Sequence, residues 1–234
     1  MLIRKSVYLI GSLVASQMAF AQESNKDTAS SKLNLDILGG VGFSRYSEMN
    51  RDDNKINSKD SSMTGFNVNA SALYSLFETS IGSPVVGGGI NYSRLTGESD
   101  KDESLKTEGT FSTLALMANA GFKFKPTEKF AIFTLGNFGY GVYNDLNYKL
   151  SQNLDPNVNL EIDSTVKNHF IYGASVIGTY EVAQNFSIGA GLTYNRHSYK
   201  NDLKLKVNAV DIGSESSNWS LNEVSANLTA SYSL

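Results

Sequence analysis

Residues 224–234 alternate without interruption. Val224, Ala226, Leu228, Ala230, Tyr232 and Leu234 fall on one side, and Ser225, Asn227, Thr229, Ser231 and Ser233 on the other. A strand repeats every two residues, so this segment has one apolar and one polar face. The same alternation recurs in seven earlier pieces of about ten residues. Their apolar sets begin with Leu33, Leu35, Ile37, Val41 and Phe43, then Phe66, Val68, Ala70, Ala72, Tyr74 and Leu76, then Pro84, Val86, Gly88, Ile90 and Tyr92. Leu114 to Phe124, Phe130 to Tyr140, Phe170 to Tyr180 and Phe186 to Tyr194 continue it. In the fifth piece Phe133 and Leu135 make the second face apolar as well.

The pieces are joined by connections of alternating length. Short ones centre on Gly82, Pro126 and Gln184, and long polar ones follow the first, third, fifth and seventh pieces. A hairpin unit also repeats. Gly40-Val41-Gly42-Phe43-Ser44-Arg45 matches Gly89-Ile90-Asn91-Tyr92-Ser93-Arg94 and Gly191-Leu192-Thr193-Tyr194-Asn195-Arg196. Four hairpins of this kind make eight strands. Outward aromatics stand eight residues apart (Phe66 and Tyr74, Phe130 and Phe138, Tyr172 and Tyr180, Phe186 and Tyr194). Eight tilted strand residues cover roughly 20 Å of membrane normal, close to the apolar band between two aromatic girdles. The pattern predicts an all-β fold: an eight-stranded antiparallel transmembrane β-barrel, an up-and-down meander, with short turns and both termini in the periplasm.

Residues 1–21 read as a signal peptide. Arg4 and Lys5 precede an apolar stretch, and Ala19-Phe20-Ala21 offers small residues for cleavage. Residues 22–32 read as a polar periplasmic tail and residues 33–234 as the outer-membrane barrel. The expected location is therefore the bacterial outer membrane. No later stretch has the ~20 apolar residues of a spanning helix. The 234-residue chain has no cysteine, which removes disulfides and thiolate metal sites, and its net charge of −3 gives no footprint for nucleic acid.

Eight strands enclose just enough room for side chains. The inward faces mix Asn34, Asp36, Asn67, Asn69, Asn91, Asn119, Asn137, Asn195 and Asn227 with Leu38, Leu73, Met117 and Ile177. This predicts a filled lumen, with Asp36, Lys123 and Glu181 pairing with one another or with water. Function then falls to the long loops. The alternation of Leu146, Tyr148 and Leu150, of Val158, Leu160 and Ile162, and of Leu203, Leu205, Val207 and Ala209 extends strands five to eight beyond the membrane. An open edge on that sheet would offer strand addition to a partner; a capped edge would not.

Two constellations stand out. Arg45, Arg94 and Arg196 each follow a girdle aromatic by two residues on the same face, where lipopolysaccharide phosphates lie. They are the candidate lipopolysaccharide-binding residues, or arginines that lift their head groups toward water. His169 and His197, the two histidines, sum to twice 183, so a hairpin centred near Ala183 brings them face to face. Such a pair would sense acid, or serve structural hydrogen bonding with nearby Ser and Asn. Ser198 adjoins His197, but strand neighbours face opposite ways, so no nucleophile–base couple is read there. No catalytic residue, metal site or cofactor is expected.

With these residues in view, the chain resembles the small eight-stranded outer-membrane barrels of the opacity-protein and attachment-invasion type, a porin-like group. The resemblance rests on Lys125-Pro126-Thr127-Glu128-Lys129-Phe130 leading into Gly136-Asn137-Phe138-Gly139-Tyr140-Gly141, on residues 185–194, and on the last strand. It implies adhesion, invasion, resistance to host defence or envelope integrity, with barrel assembly machinery reading the C-terminal strand. That signal usually ends in an aromatic; here Leu234 is last and Tyr232 takes the role. The leading expectation is a non-enzymatic structural and surface-interaction protein. It would contact outer-membrane lipid and lipopolysaccharide, and host or envelope proteins through its loops. A narrow channel or carrier for small or apolar solutes is the alternative, and a lipid-modifying enzyme a third. A closed cylinder has no free edge in the membrane, so a monomer is expected.

Overall fold

The computed structural model describes residues 34–51, 54–56, 62–102, 105–152, 160–207 and 210–234. The proposed signal peptide, the tail and Leu33 lie outside the described residues. Eight long strands follow one another: β1 (Leu35–Arg51), β2 (Ser62–Ser75), β3 (Gly82–Asp102), β4 (Leu105–Phe124), β5 (Phe130–Gln152), β6 (Leu160–Ala183), β7 (Phe186–Val207) and β8 (Val210–Ser233). Each pairs antiparallel with the next, and β8 pairs back onto β1 from Asp36↔Ser233 to Arg51↔Trp219, closing the ring. A three-residue piece, Asn54–Ile56, folds back on the end of β1.

The alternation sorts side chains as the sequence predicts. Leu228 is 71% exposed on the outer wall and Leu192 64%, while their strand neighbours Asn227 and Thr229 on β8 are buried in the lumen. Phe43, Phe66, Phe138, Tyr172 and Tyr194 share that exposed wall. An apolar belt that encircles the molecule far exceeds the patches water tolerates on a soluble monomer. Among the described residues no helix is long and apolar enough to cross a membrane, which leaves the question to the strands.

Inside, the lumen is stacked in layers. At the end with the short turns, Lys123 Nζ stands 2.7 Å from both oxygens of Asp36, and Ser233 Oγ donates to Asp36 at 2.6 Å. Leu38, Leu73, Val85, Phe133 and Leu135 close over that pair. The second apolar face of β5 is thus the plug. Glu181 is not part of this layer: it accepts the Asn185 N–H at 3.1 Å and stabilises the β6–β7 turn, where Asn185 takes φ 62°. At the far end Tyr46, Met63, Leu95, Phe111, Leu146, Tyr199 and Leu221 form a second apolar layer, with Phe111 and Tyr199 stacked at 5.7 Å.

Beyond that layer the strands run on. The polar connection after β3 is ladder as far as Asp102↔Leu105. The β6–β7 ladder reaches Leu160↔Val207 and the β7–β8 ladder Val207↔Val210. By contrast the β5–β6 ladder stops at Tyr140↔Phe170. Among the described residues the extension is therefore two sheets, β2–β3–β4–β5 and β6–β7–β8–β1, parted between β5 and β6 and again between β1 and β2, whose ladder stops at Arg45↔Thr64. Cross-strand ion pairs lace the second sheet: Lys167 with Asp202 at 2.7 Å, and Lys206 with Asp163. These lysine hydrogen bonds hold both carboxyls below the usual carboxylate range.

The buried Asp36–Lys123 pair generates a prediction. Lys123→Met strands a buried carboxylate and should cost about 3–5 kcal/mol, whereas Asp36→Leu with Lys123→Met should recover most of that loss. Urea unfolding of the folded barrel in detergent measures both. A double variant as unstable as the single would sink the pairing argument.

Candidate functional site

The polar side chains between the two apolar layers make a hoop across the lumen. Asn67 on β2 donates to Ser44 on β1 at 2.7 Å, and the side chains of Ser44 and Asn195 hydrogen-bond to Glu223 on β8. His197 Nε2 on β7 lies 2.8 Å from Glu223 Oε2, and His197 Nδ1 lies 2.9 Å from His169 Nε2 on β6. His169 Nδ1 meets Asn144 Oδ1 on β5 at 2.5 Å, and Thr113 on β4 donates to that same oxygen at 2.9 Å. His169 and His197 are fully buried, and Glu223 is 1% exposed.

The histidines meet, but not as ladder partners. His197 pairs with Ile171, and the ladder there is centred one residue later than the sequence suggested. A bulge adjoins the contact. The ladder skips from Lys167↔Lys200 to Phe170↔Ser198, and Asn168 adopts φ 52°. His169 keeps the parity of inward Ile171 and Ser175, and the extra residue reverses the parity before it, so Lys167 and Asn168 are both exposed. A second bulge acts on β5. The register passes from Leu114↔Tyr143 to Ala115↔Gly141, so Val142 is extra and Asn144 faces inward. Gly141 is needed at that corner, since a Cβ there would overlap His169 Nδ1 and Asn144 Oδ1.

Hydrogen-bond geometry fixes the proton count. Asn144 Nδ2 donates to the Gly141 carbonyl at 3.2 Å, so Oδ1 is the atom turned to His169, and it only accepts. The run Glu223–His197–His169–Asn144 has three contacts and an acceptor at each end. Two neutral imidazoles bring two hydrogens; three are required. The third is one additional proton, carried either on a ring against the Glu223 carboxylate or on the Glu223 carboxyl itself. With it the relay is neutral and fully bonded. Without it the relay carries −1 and one contact sets two lone pairs against each other.

Sequence reasoning found the two histidines but missed Glu223, Asn144 and Thr113. Glu223 was legible, because it shares the parity of inward Ser225 and Asn227. Asn144 was not, because Val142 reverses the parity ahead of it. Ser198 is exposed while His197 is buried, so the two lie on opposite faces of β7. The arginines sit elsewhere. Arg45 is exposed, Arg94 and Arg196 are half-buried, and Arg196 donates to Ser220 at 3.3 Å. They stand on β1, β3 and β7, each two strands from the next along β7–β8–β1–β2–β3, a lateral step of roughly 10 Å.

Below the hoop lies a chamber of about 60 Å³, lined by Asn67, Asn91, Asn119, Asn137, Asn195 and Asn227 with Ser and Thr hydroxyls between them. Among the described residues no group of three or more His, Cys, Asp or Glu is placed to hold a metal ion.

No known family profile matches the sequence, and no curated protein matches it. Solved structures do. Neisserial surface protein A is 13% identical, with 88% of this chain and 100% of that chain covered and a TM-score of 0.43. The outer membrane protease OmpT from Escherichia coli is 12% identical, with 89% and 99% covered and a TM-score of 0.48. Ail, the attachment invasion locus protein of Yersinia pestis, is 14% identical, with 85% and 98% covered and a TM-score of 0.35. Likeness at this level carries no argument about role; the eight-stranded, all-β, up-and-down ring rests on the strand pairing itself.

Proposed function

We propose that this barrel spans the bacterial outer membrane and acts as a structural and surface-interaction protein, in adhesion or envelope integrity, through the strand extensions beyond its rim. The observation that carries this reading is the closed lumen. Phe111, Leu95, Tyr199 and Leu221 seal one end, and Leu73, Val85 and Phe133 with the Asp36–Lys123 pair seal the other. A wall packed this way leaves no open aqueous pore through the barrel. What the protein presents to its surroundings is the pair of protruding sheets, one of them stiffened by its ion pairs. The seam between β5 and β6 leaves sheet edges there for contact.

In planar bilayers the protein should show no steady open-channel current. Replacing residues 148–162 and 204–214 with short linkers should remove binding to cells while leaving the heat-resistant folded form intact. A stable single-channel conductance, or undiminished binding by the trimmed protein, would transfer the role to the lumen.

The rim arginines belong to the same reading, as contacts to lipopolysaccharide phosphates. Arg45→Gln, Arg94→Gln and Arg196→Gln together should lower the apparent affinity for lipopolysaccharide about tenfold, read from lipopolysaccharide-dependent refolding. An unchanged response to added lipopolysaccharide would leave them as ordinary interfacial arginines.

A further inference from the structure

We infer that the asparagine-lined chamber is a site for one monovalent cation, bound in exchange for the proton of the His169–His197–Glu223 relay above it. Two observations converge on this. The first is the chamber's chemistry. Four of its amide nitrogens are spent along the wall: Asn67 donates to Ser44, Asn69 to Asn67 at 3.5 Å, Asn119 to Ser71 at 3.4 Å and Asn137 to Ser175 at 2.7 Å. Asn91 Oδ1, Asn195 Oδ1 and Asn227 Oδ1 are buried without a partner, and all three residues line the chamber. Three buried acceptors around one small space call for an occupant that is positive or donates to them. A space of about 60 Å³ is roughly four to six water-sized positions. Neutral amide oxygens are hard ligands without charge. They suit a monovalent ion, as rings of carbonyl dipoles do, while a divalent ion would draw on carboxylates.

The second observation is charge. Among the described residues the buried acids and bases are Asp36, Lys123, His169, His197 and Glu223. Asp36 and Lys123 cancel in their ion pair. With both histidines neutral, the interior is left with the single negative charge of Glu223. A lone buried charge costs several kcal/mol, so a compensating positive charge is strongly favoured. In acid the relay's third hydrogen supplies it. When that proton leaves, the cation enters the chamber, and Asn195 joins the two places, hydrogen-bonding to Glu223 while its own oxygen faces the chamber. The other groups packed around the relay are Tyr46 on β1, Ser93 on β3, Thr113 on β4, Asn144 on β5 and Tyr199 on β7, none of them charged at neutral pH. The exchange balances as one proton released for one cation bound, with no covalent step.

The sign follows from the count. Cation affinity is highest at alkaline pH. Below the relay's titration it falls by about tenfold for each pH unit, because binding releases a proton. By linkage the bound cation equally eases loss of that proton. The test uses the full-length folded barrel in detergent micelles, with thallium(I), rubidium and potassium nitrate against N-methylglucamine nitrate at equal ionic strength. At alkaline pH a one-to-one bound thallium signal should appear in ²⁰⁵Tl NMR, and the unfolding midpoint should be higher in the three metal salts. Both effects should fade on acidification. Glu223→Gln removes the charge, and it should weaken thallium binding at least about tenfold while the barrel remains folded. Water as the sole occupant would give equal midpoints in all four salts and no bound thallium. That result, a cation effect indifferent to pH, or full binding by Glu223→Gln would each overturn the inference.

Discussion

The lumen of an eight-stranded ring is too narrow to hold bulk water and too enclosed to leave a polar group unanswered. The rest of the structure follows from that constraint. Most inward residues either pack against other apolar side chains, as in the two end layers, or find a hydrogen-bond partner in the lumen. Asp36 survives burial because Lys123 reaches it from three strands away along the ring, and Ser233 from the neighbouring strand. Asn67, Asn69, Asn119 and Asn137 survive because each passes its amide nitrogen to a polar side chain along the wall. Burial of this kind costs about as much as it returns in stability; its effect is to fix register, since a slip of one residue would send every partner to the lipid face.

This is also why the fold was legible from the chain. Period-two alternation is the same physical fact as the two-sided wall, so the outward sets beginning at Phe66, Leu114, Phe170 and Phe186 could be read directly. Phe133 and Leu135 looked like an exception in the sequence. In the structure they are the plug that the narrow lumen needs at one level. The cross-lumen partners were harder to read, because they depend on which residues share a height, and height depends on the tilt and stagger of the closed ring. Asp36 could be assigned inward from parity, yet its pairing with Lys123, 87 residues away, follows only once the ring is closed.

The relay was half legible for a sharper reason. Alternation carries information only while it is unbroken, and three bulges break it at the rim: after Tyr46, at Val142 and at Asn168. The last two each leave two adjacent residues on one face. Val142 and Tyr143 are both exposed, as are Lys167 and Asn168. In the sequence these pairs look like ordinary loop composition. Asn168 held the better clue, since asparagine tolerates the left-handed conformation that turns the chain there.

The same bulges separate the two halves of the molecule. Val142 and Asn168 lie on the two strands that part company, immediately beyond the last β5–β6 pair, Tyr140↔Phe170. A bulge increases local twist and bends its strand. Two of them side by side turn β5 toward β4 and β6 toward β7, and the seam opens. The parity change at Val142 brings Asn144 inward, where it meets Thr113 and the inward His169, itself against His197. The site and the divided sheets above it are therefore one feature of the backbone. The residues that end the cylinder as a continuous wall also place the relay at its mouth.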